Sequence, residues 1–201
     1  MINLLTDNLP ESVNINGAEI QINTDFRISL QFEMLIQSDI PDNEKILKAL
    51  RLYYPRIPEN TEAAVDGIIE FYSGNPDKNC CKASSHQKNK PVYSFEYDAG
   101  YIYAAFMQAY NIDLTAVKMH WYKFRALFRA LPDITEFVKI MGYRSVQITA
   151  DMPKTQQQHY RKLKKIYALP RSESERKIQN ELEQALMNGG DVTGIISRYR
   201  G

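Results

Sequence analysis

The N-terminal part of the chain alternates apolar and polar residues around an Asn-Gly pair. Apolar side chains recur at every second position on one face: Val13, Ile15, Ile20 and Ile22. The pair Asn16-Gly17 between them is typical of a tight hairpin turn, because both residues tolerate positive φ. The pattern therefore predicts a β-hairpin over residues 12–23.

Downstream of the hairpin, apolar residues recur every three to four positions, as in amphipathic helices. We predict about eight helices: after an N-cap at Thr24 or Asp25; from Asp42 to a stop at Pro55; from Asn60 to Tyr72; over 97–110; from Asp113 or Thr115 to Leu131; from Asp133 to Met141, with Gly142 as C-cap; over 154–168; and from Ser172 or Ser174 to Gly189-Gly190. No alternation of strands and helices would build a parallel sheet. The predicted fold class is mainly α, a multi-helix globular domain with a small N-terminal β-hairpin.

The apolar stripe of each helix is expected to face the core. On the first four helices the residues predicted to point inward are Phe26, Leu30 and Met34; Ile46, Leu47, Leu50 and Tyr53; Val65, Ile68, Ile69 and Tyr72; and Tyr101, Ile102, Ala105 and Phe106.

The segment 73–92 separates two helical regions. Gly, Pro, Ser, Asn and Lys dominate it, and no large apolar side chain occurs before Val92. Such a composition is typical of a flexible connector. We therefore predict a hairpin plus helices over 1–72, a connector over 73–92, and a helical region over 93–201 that packs with 1–72 as one domain.

A net charge of +1 over 201 residues hides an asymmetry. Residues 1–73 carry 12 acidic and 5 basic residues, whereas residues 93–170 carry 6 acidic and 11 basic ones. Opposite fields in one chain attract each other or a neighbouring copy. The pattern therefore favours protein partners, including a homo-oligomer, over nucleic acid. No apolar run approaches the roughly 18–20 residues of a membrane span, so no membrane association is expected.

The segment HWYKFRALFRAL, residues 120–131, mixes aromatic and basic residues and has two interpretations. On a helical wheel one apolar stripe contains Val117, Trp121, Phe124, Phe128 and Leu131, and the neighbouring stripe contains Lys118, Tyr122, Arg125 and Arg129. Aromatic rings that face a core cannot also stack on bases, and single-strand binding needs several stacking platforms. A core helix is therefore favoured over a nucleic-acid interface, and exposed Arg and Tyr beside it suit a protein partner.

The densest cationic run is RKLKK, residues 161–165. On a helix, Arg161 and Lys165 share one side while Leu163, Ile166 and Tyr167 mostly point inward. This side is either a solvated face or a docking surface for an acidic partner or phosphate.

Catalytic chemistry is not indicated anywhere in the sequence, which contains no GxSxG, P-loop or glycine-rich dinucleotide turn. The two cysteines, Cys80 and Cys81, are adjacent, so ring strain opposes a disulfide between them and an intracellular protein is favoured. Together with His86 they do not supply the four ligands of a structural zinc site. We therefore expect no enzymatic activity, no metal and no cofactor.

Several long stretches resemble one protein family. They are MINLLTDNLPESVNINGAEIQINTDFR, YDAGYIYAAFMQAYNIDLT, HWYKFRALFRALPDITEFVKIMGYR and the region KLKKIYALP to ALMNGGD. In order and over nearly the whole chain, they resemble the bacteriophage gene product fifteen family of tailed phages and prophages of Gram-positive bacteria. The His-Trp-aromatic-Lys-Phe and Met-Gly-Tyr-Arg segments are the most specific parts of the resemblance.

The resemblance implies no catalytic residues. It implies a gene located between those of the major tail protein and the tape-measure protein, a position that usually holds tail assembly chaperones. We therefore expect a non-enzymatic tail morphogenesis protein that binds the tape-measure protein, or other tail proteins, in the host bacterial cytoplasm. The alternatives are a structural virion component, such as a tail completion or connector subunit, and a nucleic-acid-binding protein. The residues predicted to bind a partner are Tyr122, Arg125, Arg129, Arg144, Arg161 and Lys165.

Overall fold

The computed structural model describes residues 3–74, 91–170, 180–181 and 183–187. The chain forms two compact units, Met1–Ala168 and Leu169–Gly201. In the second unit, residues 180–181 and 183–187 are helical, and the rest of the predicted last helix lies outside the described residues. Most of the predicted connector, residues 75–90, also lies outside them.

The first unit contains one two-stranded antiparallel sheet and seven helices among its described residues. The elements are β1 (Ser12–Ile15), β2 (Ala18–Gln21), α1 (Phe26–Gln37), α2 (Asp42–Tyr53), α3 (Thr61–Ser73), α4 (Ala99–Tyr110), α5 (Trp121–Arg129), α6 (Glu136–Ser145) and α7 (Lys154–Ile166). This architecture confirms the mainly α fold class with a small N-terminal hairpin. Each described helix is too short or too polar to cross a lipid bilayer.

The hairpin forms at the predicted position. Asn16 and Gly17 both have positive φ, 52° and 88°, as a tight turn between β1 and β2 requires. Val13 pairs with Ile20 across the strands, and Ile15 is buried against the helices. The predicted apolar face of the hairpin therefore does contact the core.

The first three helices follow the predicted segments, but their buried faces are rotated. Asp25 caps α1 by accepting a hydrogen bond from the Arg27 N–H, and Asn60 caps α3 through Ala63. Several residues predicted to be inward are exposed: Ile46 and Leu47 on α2, Ile69 on α3, Tyr101 on α4, and Ile166 on α7, a helix on which no residue is buried. The predicted inward faces of α2, α3 and α4 were wrong at these positions because each of these helices carries more apolar residues than one contact face can cover.

Helix α5 begins at Trp121, not at Asp113 or Thr115 as predicted. The Arg27 guanidinium lies against the segment before the helix, and its Nη2 donates to three backbone carbonyl groups: Leu114, Thr115 and Val117. Carbonyl groups that converge on one nitrogen cannot point along a common helix axis. These contacts of Arg27 therefore hold residues 114–117 in a non-helical conformation, and the helix begins later in the sequence.

Helix α6 runs past Gly142, which was wrongly predicted to be its C-cap. The helix starts at Glu136 and continues to Ser145, and the Val146 N–H donates to the Gly142 carbonyl. Arg144, in the added turn, is held by a buried ion pair with Asp98. This tertiary contact favours one more helical turn where the local sequence indicated a stop.

Replacing Gly17 and Gly142 by alanine, one at a time, should change stability in opposite directions. Gly17→Ala should lower the free energy of unfolding by about 1 kcal/mol, because alanine is strained at positive φ. Gly142→Ala should raise it by about 0.5–1 kcal/mol, since a helical glycine is a poor helix former and its Cβ would meet open space. Urea unfolding measures both changes. A destabilised Gly142→Ala variant would instead favour the predicted C-cap conformation.

Candidate functional site

Helix α5, which contains half of the predicted partner-binding residues, starts with a histidine cap. The His120 Nδ1 accepts a hydrogen bond from the Tyr122 N–H at 3.1 Å, and its Nε2 lies 3.0 Å from the Pro10 carbonyl oxygen. Because a carbonyl only accepts, Nε2 carries the hydrogen and the imidazole is neutral. Burial lowers the pKa of His120, consistent with this neutral form.

Trp121 is sealed inside the protein, as predicted. Its side chain is 4% exposed, and its Nε1–H donates to the Tyr72 carbonyl at 2.9 Å. The indole also stacks on the Tyr72 ring at a centroid distance of 5.2 Å. A base therefore cannot stack on Trp121, which is evidence against the nucleic-acid interpretation of this segment.

Tyr122 is buried, which contradicts the predicted exposed stripe. It is 6% exposed, its hydroxyl donates to the Phe71 carbonyl at 2.9 Å, and its ring stacks on Phe71 at 5.3 Å. Burial raises the pKa of Tyr122 to about 12. The helical wheel failed here because the C-terminal end of α3 covers a second side of α5. Tyr122 is therefore not available to a partner in this fold.

Arg125 is half-buried and completes the C-terminal end of α3. Its Nη1 donates to the carbonyl oxygens of Tyr72, at 3.0 Å, and Ser73, at 2.6 Å. The last carbonyl groups of a helix lack internal partners, so a cation here satisfies both hydrogen bonding and the helix dipole. Gly74 adopts φ 67° beside this guanidinium, and a Cβ at that position would collide with it. Partner binding by Arg125 stays a prediction, with much of its guanidinium already engaged.

Arg144, also predicted to face a partner, is only slightly exposed. Its side chain is 10% exposed and forms a two-pronged ion pair with Asp98, whose side chain is 2% exposed. The same guanidinium donates to the carbonyl groups of Val92 and Tyr167. The prediction of exposure was wrong because a single arginine joins α4, α6 and the end of α7.

The remaining predicted residues are exposed but lie on two different helices. Arg129 is at the end of α5, and Arg161 and Lys165 are on α7. Their binding role stays a prediction.

A cleft of about 400 Å³ lies beside the buried indole. Aromatic rings form most of its wall, including Tyr93, Phe95 and Phe128, and Glu33 provides an acid. The Tyr72 hydroxyl donates to the Glu33 carboxylate at 2.7 Å, and burial raises the pKa of Glu33. The acid is thus already hydrogen-bonded within the protein.

A second concavity, a groove of about 660 Å³, lies between α1 and α2. Its apolar lining comprises Met34, Leu35, Ile40 and Leu52, and Lys48 and Arg51 provide two cations. Sequence reasoning assigned Met34 to the core and did not predict a groove. One feature of the sequence could have indicated the groove: α1 and α2 carry more apolar residues than one buried face of each helix can hold.

The described residues include no group of three or more His, Cys, Asp or Glu side chains that could hold a metal ion. Cys80, Cys81 and His86 lie outside the described residues.

Comparison with known proteins identifies the family. Residues 5–169 match the family described as Bacteriophage Gp15 protein. This range includes the hairpin, all seven helices of the first unit and both concave surfaces. The chain therefore belongs to this bacteriophage family, as its sequence indicated. No curated protein and no solved structure matches it.

Removing the Arg144 guanidinium should strongly destabilise the protein. Arg144→Ala leaves the Asp98 carboxylate buried without its cation, and breaking such a pair costs about 3–5 kcal/mol. Arg161→Ala is the control, since an exposed arginine should change the free energy of unfolding by less than about 0.5 kcal/mol. Urea unfolding of both variants measures the difference. Equal, small effects would contradict a structural role for Arg144.

Acidification should weaken the cap on α5. In the unfolded chain His120 takes up a proton below about pH 6.5, whereas the folded protein, with a lowered pKa, resists protonation. The contribution of His120 to stability is therefore present above that pH and is lost as the pH falls.

The His120→Asn variant provides the matched control for this pH dependence. Asparagine caps helices well but does not titrate. Urea unfolding between about pH 7.5 and 5 should show a steeper loss of stability in the wild type than in the variant. Identical slopes would contradict the neutral cap.

Proposed function

We propose that this bacteriophage protein is a non-enzymatic tail morphogenesis factor, a tail assembly chaperone that binds the tape-measure protein. The observation that carries the proposal is the α1–α2 groove, whose apolar side chains are partly exposed to solvent. Contiguous open apolar surface on a folded protein is typical of a binding site.

The shape and chemistry of the groove suit an amphipathic helix. Such a ligand inserts apolar anchors spaced three to four residues apart into a hydrophobic groove, and Met34, Leu35, Ile40 and Leu52 provide that environment. Two cations, Lys48 and Arg51, against one acid, Glu96, on the lining favour acidic residues beside the anchors. Lys48 now lies 3.8 Å from Glu44, an exposed pair that is weak and readily exchanged for a partner's carboxylate.

Membership of the phage family supports a role in particle assembly, and the gene position implied by the resemblance points to the tape-measure protein. Tape-measure proteins are expected to be long and helical, so they offer repeated amphipathic segments to such a groove. A chaperone of this kind must release its client, which agrees with a shallow groove and exposed ion pairs.

Co-expression with the tape-measure protein tests the proposal. The wild-type protein should increase the amount of soluble tape-measure protein and be recovered with it in a pull-down. Met34→Glu should reduce that recovery roughly tenfold or more, because it places an unpaired charge on the groove lining. Ile36→Glu, on the same helix but outside the groove lining, should leave recovery unchanged.

Circular dichroism should first show that both variants fold. Unchanged solubility of the tape-measure protein, or equal binding by Met34→Glu and wild type, would contradict the proposal. Mass spectrometry of purified virions adds a second criterion, since a chaperone should be absent from them. Stoichiometric amounts in the particle would identify a structural tail component instead.

A further inference from the structure

Helix α7 carries a stripe of exposed cations. Lys154, Arg161 and Lys165 are separated by seven and four residues, with the polar Gln158 completing the i, i+4, i+7, i+11 series, and all four are exposed. Lys162 lies next to the stripe, and no acidic residue occurs between Lys154 and Ile166. The stripe runs ~16 Å along the helix at ~1.5 Å per residue.

Helix α3 carries the opposite charge on its outer face. Glu62, Asp66 and Glu70 recur every four residues, Glu59 precedes them, and all are exposed. The helix, Thr61–Ser73, contains no lysine or arginine. Its acidic stripe therefore follows the same helical periodicity as the α7 stripe and has the opposite sign, over ~12 Å of helix.

Neither stripe is neutralised within the described part of the protein. None of the described ion pairs involves Glu62, Asp66, Glu70 or the cations of α7. In addition, an isoleucine is exposed beside each set of charges: Ile69, 43% exposed, on α3 and Ile166, 59% exposed, on α7. Each face thus combines like charges with one apolar side chain that has not been buried.

We infer that the α7 stripe of one copy docks on the α3 stripe of a second copy of this chain. At this contact Arg161 and Lys165 face the carboxylates of α3, and helices with complementary charges at three- and four-residue spacing align along their length. Because each copy carries both stripes, two copies can pair reciprocally about a two-fold axis, or the contact can repeat as a ring or a filament. This inference goes beyond the tape-measure proposal and does not depend on it.

A second copy explains both stripes, whereas a nucleic acid would explain only the cationic one. A phosphate backbone would be repelled by α3, and the nearby rings of Tyr143 and Tyr167 stack on each other at 5.8 Å instead of forming an open platform for bases. The contact is built from exposed ion pairs, which are individually weak. Self-association should therefore require high protein concentration and low salt.

Sedimentation velocity of the full chain at about 100 µM protein, in ~20 mM and ~500 mM NaCl, tests the inference. The wild type should form oligomers at low salt and monomers at high salt. Two charge reversals, Arg161→Glu with Lys165→Glu and Glu62→Lys with Asp66→Lys, should each weaken association roughly tenfold or more. An equimolar mixture of the two double variants should associate again, since acidic α7 then meets basic α3.

Lys118→Glu with Lys123→Glu is the matched control. It changes the net charge by the same amount as the α7 reversal but alters exposed lysines outside both stripes, so association should be retained. A wild type that stays monomeric at low salt would overturn the inference, whether or not it binds a DNA duplex in the same buffer. Oligomers that survive both reversals, equal weakening by the control, or a mixture that stays monomeric would also overturn it.

Discussion

The structure depends on the burial of Phe124 between rings from two other helices. Phe124 is fully buried and stacks on Phe26 of α1 at 4.7 Å and on Phe106 of α4 at 5.1 Å. In the sequence α1 precedes residues 75–90 and α4 follows them. This stack therefore joins the N-terminal and C-terminal parts of the first unit. Aromatic stacking adds to area burial, and offset ring pairs tolerate little displacement. The aromatic stack therefore fixes the placement of α5 and with it the positions of its polar residues.

Burial of α5 on two sides explains the unexpected roles of its flanking polar groups. Tyr122 and Arg125 satisfy carbonyl groups at the end of α3, where a buried helix end without partners would be costly. Arg144 acts in the same way toward Asp98. Two arginines that were predicted to contact a partner, Arg125 and Arg144, are thus bound to backbone and carboxylate groups of the protein itself.

The candidate binding surfaces lie on α1, α2, α3 and α7. These short helices carry apolar and charged residues that the core does not bury. The α1–α2 groove is open because the inward faces of both helices are already occupied by residues such as Phe32 and Leu50. The acidic face of α3 and the basic face of α7 are also exposed. In the described residues, polar groups of the interior are thus hydrogen-bonded within the protein. Two kinds of surface are left exposed, the apolar α1–α2 groove and the charged faces of α3 and α7.

The sequence by itself determined the hairpin, the number and order of the seven helices described in the first unit, the burial of Trp121 and the family. These follow from local turn chemistry at Asn16-Gly17, from periodicity, and from long distinctive segments. Only the tertiary structure decided where α5 starts, that α6 continues past Gly142, and that Tyr122 and Arg144 are interior. Each of these depends on a partner distant in the chain, such as Arg27 or Asp98, and a helical wheel contains no information about which neighbour covers a second face.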